Sequence, residues 1–80
     1  MIKVEVLFFA RLRELFGTNS LVLDVEESQT VAEMALHLIE SRPELASVPM
    51  RFAVNDEFVD GQRVLRDGDV VAVVHPVSGG

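Results

Sequence analysis

Apolar and polar positions alternate from the start of the chain. In "MIKVEVLFF", Ile2, Val4, Val6 and Phe8 are separated by Lys3, Glu5 and Leu7, which predicts a strand from Ile2 to about Phe8. The spacing then lengthens. "ARLRELFG" places Leu12, Leu15 and Phe16 as a short helix would, with Gly17 where a helix stops. After the turn-forming "TNS", the segment Ser20–Val25, "SLVLDV", reads as a second strand.

The clearest helical signal follows. Thr30 with Glu33 fits a capping box, in which hydroxyl and carboxylate each satisfy a backbone N–H of the first turn. Val31, Ala35, Leu38 and Arg42 fall on one stripe, with Met34 and Ile39 beside it, and the helix is expected to end before Pro43. "RPELASVP" is then a loop with room for one helical turn. "MRFAVN" predicts a third strand and "EFV", after Asn55-Asp56, a short fourth. Asp67-Gly68 marks a turn into a final strand from about Asp69 to His75. Strands outnumber helices, and one main helix covers only one face of the sheet, so the fold class is α+β: a mixed sheet of about four to five strands, with a short helix after the first.

The last strand does not alternate. Val70, Ala72 and Val74 are expected to face the helix, yet Val71 and Val73 are apolar too, and on the first strand Leu7 shares the side of Lys3 and Glu5. With the first and last strands as neighbours, Leu7, Val71, Val73 and His75 are expected to form an exposed apolar patch of the kind that marks a protein contact.

Composition narrows the chemistry. The chain has 80 residues, one small domain, with 49% hydrophobic residues and no apolar run near the roughly 20 residues that span a bilayer. Its start lacks a signal-peptide pattern, so a cytoplasmic location is expected and no membrane partner. The net charge of -6 argues against nucleic acid as a partner, since a phosphate backbone calls for basic faces. There is no cysteine, which removes disulfides, thiolate nucleophiles and Cys-based metal sites. No Gly-rich phosphate loop is present, His37 and His75 match no metal spacing, and no serine stands in a G-x-S-x-G context. No metal site and no bound cofactor are expected, and nothing reads as a self-sufficient active site. His37 is expected on a solvated helix face.

The remaining feature is the terminal "PVSGG". Pro76 has no N–H to give to a ladder and should end the last strand. Residues 76–80 then extend at most roughly 16–18 Å. Gly79 and Gly80 carry no side chain, so such a tail is thin enough for a narrow channel in another protein. An α-carboxylate on Gly80 is ionised at pH 7 and a poor electrophile. Converted to an acyl adenylate by an ATP-using partner, it would accept a nucleophile readily.

The element order, the segment "FFARLRELFG" with Arg13-Glu14 on the short helix, "LRDGDVVAVV" and the ending "HPVSGG" together resemble the small subunit of molybdopterin synthase, the MoaD family. The resemblance covers the whole chain. It implies a ubiquitin-like β-grasp domain over residues 1–75 and a flexible Gly-Gly tail over residues 76–80. It further implies that a ubiquitin-activating-like adenylyltransferase adenylates Gly80 with ATP, and that a sulfurtransferase or persulfide displaces AMP to leave a thiocarboxylate. The tail, with Pro76, Val77 and Ser78 docked along a channel and Gly79 permitting close approach, would enter the large catalytic synthase subunit. There the thiocarboxylate would give its sulfur to cyclic pyranopterin monophosphate, within a heterotetramer of two small and two large subunits. The small subunit would be no enzyme alone. Where relatives commonly carry an aromatic or aliphatic residue and a second proline before the tail, this chain has Val74 and His75.

Three other readings share parts of this pattern. A thiamine-thiazole sulfur carrier has the same fold and tail, but that family usually lacks the short helix "ARLRELFG". A ubiquitin-like modifier would be joined through Gly80 to lysines of target proteins. A plain β-grasp interaction domain would end on glycines by accident.

Overall fold

The computed structural model describes residues 1–75, and the expected tail of residues 76–80 lies outside them. The chain runs β1 (Ile2–Phe8), α1 (Ala10–Phe16), β2 (Ser20–Val25), α2 (Val31–Ser41), a 3-10 turn (Pro43–Ser47), β3 (Arg51–Val54), β4 (Glu57–Val59) and β5 (Val70–Val74). The five strands form one sheet in the order β2-β1-β5-β3-β4. β1 and β5 are parallel, and every other neighbouring pair is antiparallel. The first and last strands of the domain thus lie side by side at its middle.

Each element begins and ends for a local reason. Gly17 closes α1 in the left-handed region at φ 71°, its N–H donating to the Arg13 carbonyl at 2.9 Å. At α2 the capping box is complete: the Glu33 N–H donates to Thr30 Oγ1 at 3.2 Å, and the Thr30 N–H donates to Glu33 Oε1 at 2.9 Å. The next two N–H groups, of Val31 and Ala32, donate to the carbonyls of Arg63 and Gly61, so backbone and not side chains completes this helix start. Gly61 permits that approach, since a Cβ there would stand 3.0 Å from Ala32 Cβ. Asn55 and Asp56, both at positive φ (50° and 72°), form the two-residue turn between β3 and β4, the mirror-image geometry that suits twisted hairpins. As expected, α2 ends before Pro43; Arg42 caps it instead of extending its stripe.

One face of the sheet holds the core. Val4, Val6 and Phe8 of β1 pack with Val71 and Val73 of β5 against Val31, Met34 and Leu38 of α2 and Leu12 of α1. The Phe8 and Phe16 rings stack with centroids 4.1 Å apart, tying α1 to β1.

This arrangement reverses the expectation for β5. Val71 and Val73 are 0% exposed, and Val70, Ala72 and Val74 face away from the helices. The reason is register: Val71 is the partner of Val6 and Val73 of Phe8, and cross-strand partners share a face. Val71 and Val73 are therefore core residues and no part of a docking patch.

Asp69, the buried charged residue at the start of β5, is 6% exposed. Its Oδ1 accepts from Asn55 Nδ2 at 3.0 Å; its Oδ2 accepts from the Arg66 N–H at 2.8 Å and Arg63 Nη1 at 3.2 Å. Burial alone would raise its carboxyl, but the Arg66 N–H, the Asn55 amide and the Arg63 guanidinium outweigh it and hold the group below the usual carboxylate value. A lowered folded-state pKa means that this stabilisation is complete above about pH 4, the unfolded value, and is lost as pH falls through the folded value. Urea unfolding is expected to show a stability decline below about pH 4 that flattens in Asp69→Asn. Asp69→Ala is expected to cost about 2 kcal/mol at pH 7, because Asn55, Arg63 and the Arg66 N–H lose their shared acceptor.

Candidate functional site

The site is built on the other face of the sheet, which no helix covers. The pairings Leu7↔Ser20, Leu7↔Ala72, Ala72↔Ala53 and Ala53↔Phe58 draw one row across all five strands, from Ser20 through Leu7, Ala72 and Ala53 to Phe58. Toward the end of β5 the next pair is Val74 with Arg51; toward its start, Val70 and Val22 flank Glu5. Val22 is 64% and Phe58 60% exposed, while Leu7, Ala53, Val70, Ala72 and Val74 are half-buried only by one another and their neighbours. The result is a continuous apolar strip with two alanines at its middle. Contiguous apolar surface on so small a domain marks an interaction site.

Two contacts shape its borders. The Arg51 guanidinium lies 4.2 Å above the Phe58 ring, a cation–π contact that fixes an exposed aromatic in place. At the opposite end Lys3 Nζ donates to Asp24 Oδ1 at 2.6 Å, and that carboxylate raises the lysine above its ordinary value. The apolar strip is thus closed by an ion pair at the start of β1 and open toward the end of β5.

Of the residues expected at a docking face, Leu7 is in the strip. His75 is half-buried directly after β5, beside Val74. Pro76, Val77, Ser78, Gly79 and Gly80 lie outside the described residues. Val71 and Val73 belong to the core. The strip's other members were missed for want of phase in "VVAVV"; "SLVLDV" did carry a signal, since Leu21, Leu23 and Val25 share one parity and leave Val22 with Ser20 and Asp24. His37 lies on the exposed side of α2, as expected, its Nε2 2.9 Å from Gln29 Nε2. Among the described residues no three metal-ligating side chains come together.

The position of the strip matters because of where β5 ends. β5 runs parallel to β1, so Val74 and His75 emerge beside the β1–α1 corner, at the open border of the strip.

The profile of the ThiS family matches residues 6–80. The chain belongs to the ThiS family. The molybdopterin synthase sulfur carrier subunit of Chlamydomonas reinhardtii is 35% identical over 82 residues, covering 98% of this chain and 99% of that protein. The solved structure described as molybdopterin converting factor subunit 1 of Pyrococcus furiosus superposes with a TM-score of 0.90 at 28% identity, over 96% of this chain and 100% of that one. A Helicobacter pylori chain, solved in a complex of subunits 1 and 2 of molybdopterin-converting factor, gives 0.71 at 28% identity over 99% and 100%. The shared fold is the ubiquitin-like β-grasp that the sequence resemblance implied.

The two faces of β5 in this ThiS-family chain predict opposite mutational outcomes. Val73→Asp buries an unpaired carboxylate and is expected to cost about 3 kcal/mol or more, a large fraction of the stability of a domain of this size. Phe58→Asp, on the exposed strip, is expected to shift stability by less than about 1 kcal/mol. Thermal melting of the two variants followed by circular dichroism separates them; equal losses would remove the distinction between core and strip.

Proposed function

We infer that this chain is the sulfur-carrying small subunit of a molybdopterin synthase. The observation that carries the reading is the family match through residue 80, Gly79 and Gly80 included, together with a relative called molybdopterin synthase sulfur carrier subunit aligned over 98% of this chain and 99% of its own length. In this reading Gly80 is the reacting residue. An ATP-dependent adenylyltransferase joins its carboxylate to AMP with release of pyrophosphate. The terminal sulfur of a persulfide then attacks the acyl carbon, AMP leaves, and reduction of the acyl disulfide by a thiol yields the thiocarboxylate. In the large subunit the thiocarboxylate sulfur bonds to cyclic pyranopterin monophosphate, and water then cleaves the acyl C–S bond, which returns the tail to a carboxylate.

The geometry supports a carrier more than a catalyst. The tail is attached to the central strand of the sheet, whose register is held on both sides, so its root is a rigid point. The apolar strip beside that root gives a large subunit a surface to hold, with Leu7, Ala72, Val74 and Phe58 in the positions first assigned to Val71 and Val73. The five residues beyond His75 reach at most roughly 16–18 Å, so the acceptor site must lie within that distance of the gripped sheet. With no cysteine in the chain, the sulfur has no other place to be carried than the terminus. Alone the chain is a reagent of the synthase; ATP is used by its activating partner, in the cytoplasm.

Intact mass spectrometry after incubation with the adenylyltransferase, ATP and a sulfur source is expected to show one oxygen replaced by sulfur, localised to Gly80. Addition of the large subunit and precursor is expected to discharge it. Removal of Gly80, or addition of one residue after it, is expected to abolish the transfer without changing the melting temperature. Sulfur transfer by the extended chain would sink the mechanism, and linkage to lysines in place of a thiocarboxylate would assign the chain as a protein modifier.

A further inference from the structure

The charged side chains are divided unequally between the two ends of the sheet. At the end where β5 stops, Arg11 and Arg13 are exposed on α1, and Arg42 lies over the Phe16 ring of the same helix at 5.8 Å. Arg51 is there too, as the cross-strand partner of Val74. Four of the chain's seven basic side chains thus lie around the root of the tail, with Glu14, Glu40, Glu44 and, next after Val59, Asp60 of its thirteen acidic ones. The other end holds Lys3, Arg63 and Arg66 with the remaining carboxylates, Glu26, Glu27, Asp67 and Asp69 among them. Both ion pairs found among the described residues, Lys3–Asp24 and Arg63–Asp69, belong to that acidic end. The four arginines near the tail have no carboxylate partner within the described residues.

Arg42 and Arg51 each lie over an aromatic ring, but no ion pair within the described residues offsets the charge of the four guanidiniums. Their use is toward another molecule. We propose that Arg11, Arg13, Arg42 and Arg51 orient the chain onto a protein surface that is acidic around the entrance receiving the tail. This rests on the functional reading above, with the large catalytic subunit as that protein. The sign follows from the division of charge. A chain of net charge -6 meeting a basic surface would be drawn in by its acidic end, with the tail pointing away. An acidic entrance does the opposite on both counts: it attracts the arginine end and repels the other. The two ends are separated by the length of β1, roughly 20 Å, against a Debye length of about 8 Å at physiological salt, so a partner senses them separately. The apolar strip runs into the arginine end, so the same encounter that places the tail also lays the strip on its contact. Arg51 joins the two, since its guanidinium covers Phe58 at the border of the strip.

The test compares two double variants with the same change in net charge at opposite ends, both at exposed positions. Arg11→Glu with Arg13→Gln alters the tail end; Arg66→Glu with Gln62→Glu alters the far end. Association and dissociation rates with the large catalytic subunit are measured by stopped flow at low and high ionic strength, after melting curves have shown both variants folded. The tail-end pair is expected to slow association about tenfold at low ionic strength and to lose most of the salt dependence, with a smaller change in dissociation. The far-end pair is expected to stay within about twofold of the unaltered chain. Equal slowing by both pairs would show that only net charge matters and overturn the proposal, as would acceleration by the tail-end pair, which would make the entrance basic. Failure of the unaltered chain to bind at either ionic strength would overturn the functional reading itself.

Discussion

The parallel pairing of β1 with β5 is the constraint on which the rest of this structure depends. It brings the first and last strands together at the middle of the sheet and sets the phase of both. With Val6 beside Val71 and Phe8 beside Val73, one face becomes a core that α1 and α2 can close. The same register leaves Leu7 beside Ala72 on the other face and opens the apolar strip there. A slip of one residue would exchange the two faces, burying Ala72 and Val74 and exposing two core valines. Parallel pairs of this kind close a long loop, here nearly the whole chain, so the register needs something firmer than the apolar pattern to hold it.

That support is concentrated at the start of β5. The Lys3 N–H donates to Asp67 Oδ1 at 2.9 Å, the Gly68 N–H to the Lys3 carbonyl at 2.8 Å and the Glu5 N–H to the Asp69 carbonyl at 2.9 Å, which locks β1 against the incoming turn. On the other side Asn55 holds Asp69 and Val70 through its side-chain amide. Asp69 therefore links β1, β5 and the β3–β4 hairpin at one point. Its buried carboxylate is satisfied by several donors, the condition under which a buried charge specifies structure and does not weaken it. All of this lies at the acidic end, at the start of β5 and away from Val74 and His75.

Most of the fold was legible in the sequence because its signals are local. The strand Ser20–Val25, the short helix stopped at Gly17 and the Thr30–Glu33 capping box each rest on chemistry within a few residues, and each is found where the pattern put it. The docking face was legible only in part. Leu7 was placed correctly by the alternation of β1, but "VVAVV" is apolar at every position and carries no phase. The polar residues at its two ends, Asp69 and His75, have the parity of Val71 and Val73, so alternation alone puts that parity on the solvent side. The structure shows why the inference failed: Asp69 is polar and yet buried, held by Arg66, Asn55 and Arg63. A buried charge breaks the rule that polarity marks the outside, and nothing in its immediate sequence announces it. The register that would have resolved the phase is a long-range property linking residues 6 and 71.

The arrangement also explains how a domain with so few specific side chains can serve a chemical role. No described residue gathers into a catalytic cluster, and the surface chemistry reduces to an apolar strip, a rim of arginines and an acidic far end. Each does a separate task. The strip supplies area, which is tolerant of sequence; the charge division supplies orientation, which acts before contact; the rigid root of β5 supplies position. A carrier that must be loaded on one protein and unloaded on another gains from this division, because tight grip on either would slow the exchange. An interface held by a modest apolar strip and guided by long-range charge can associate fast and still release.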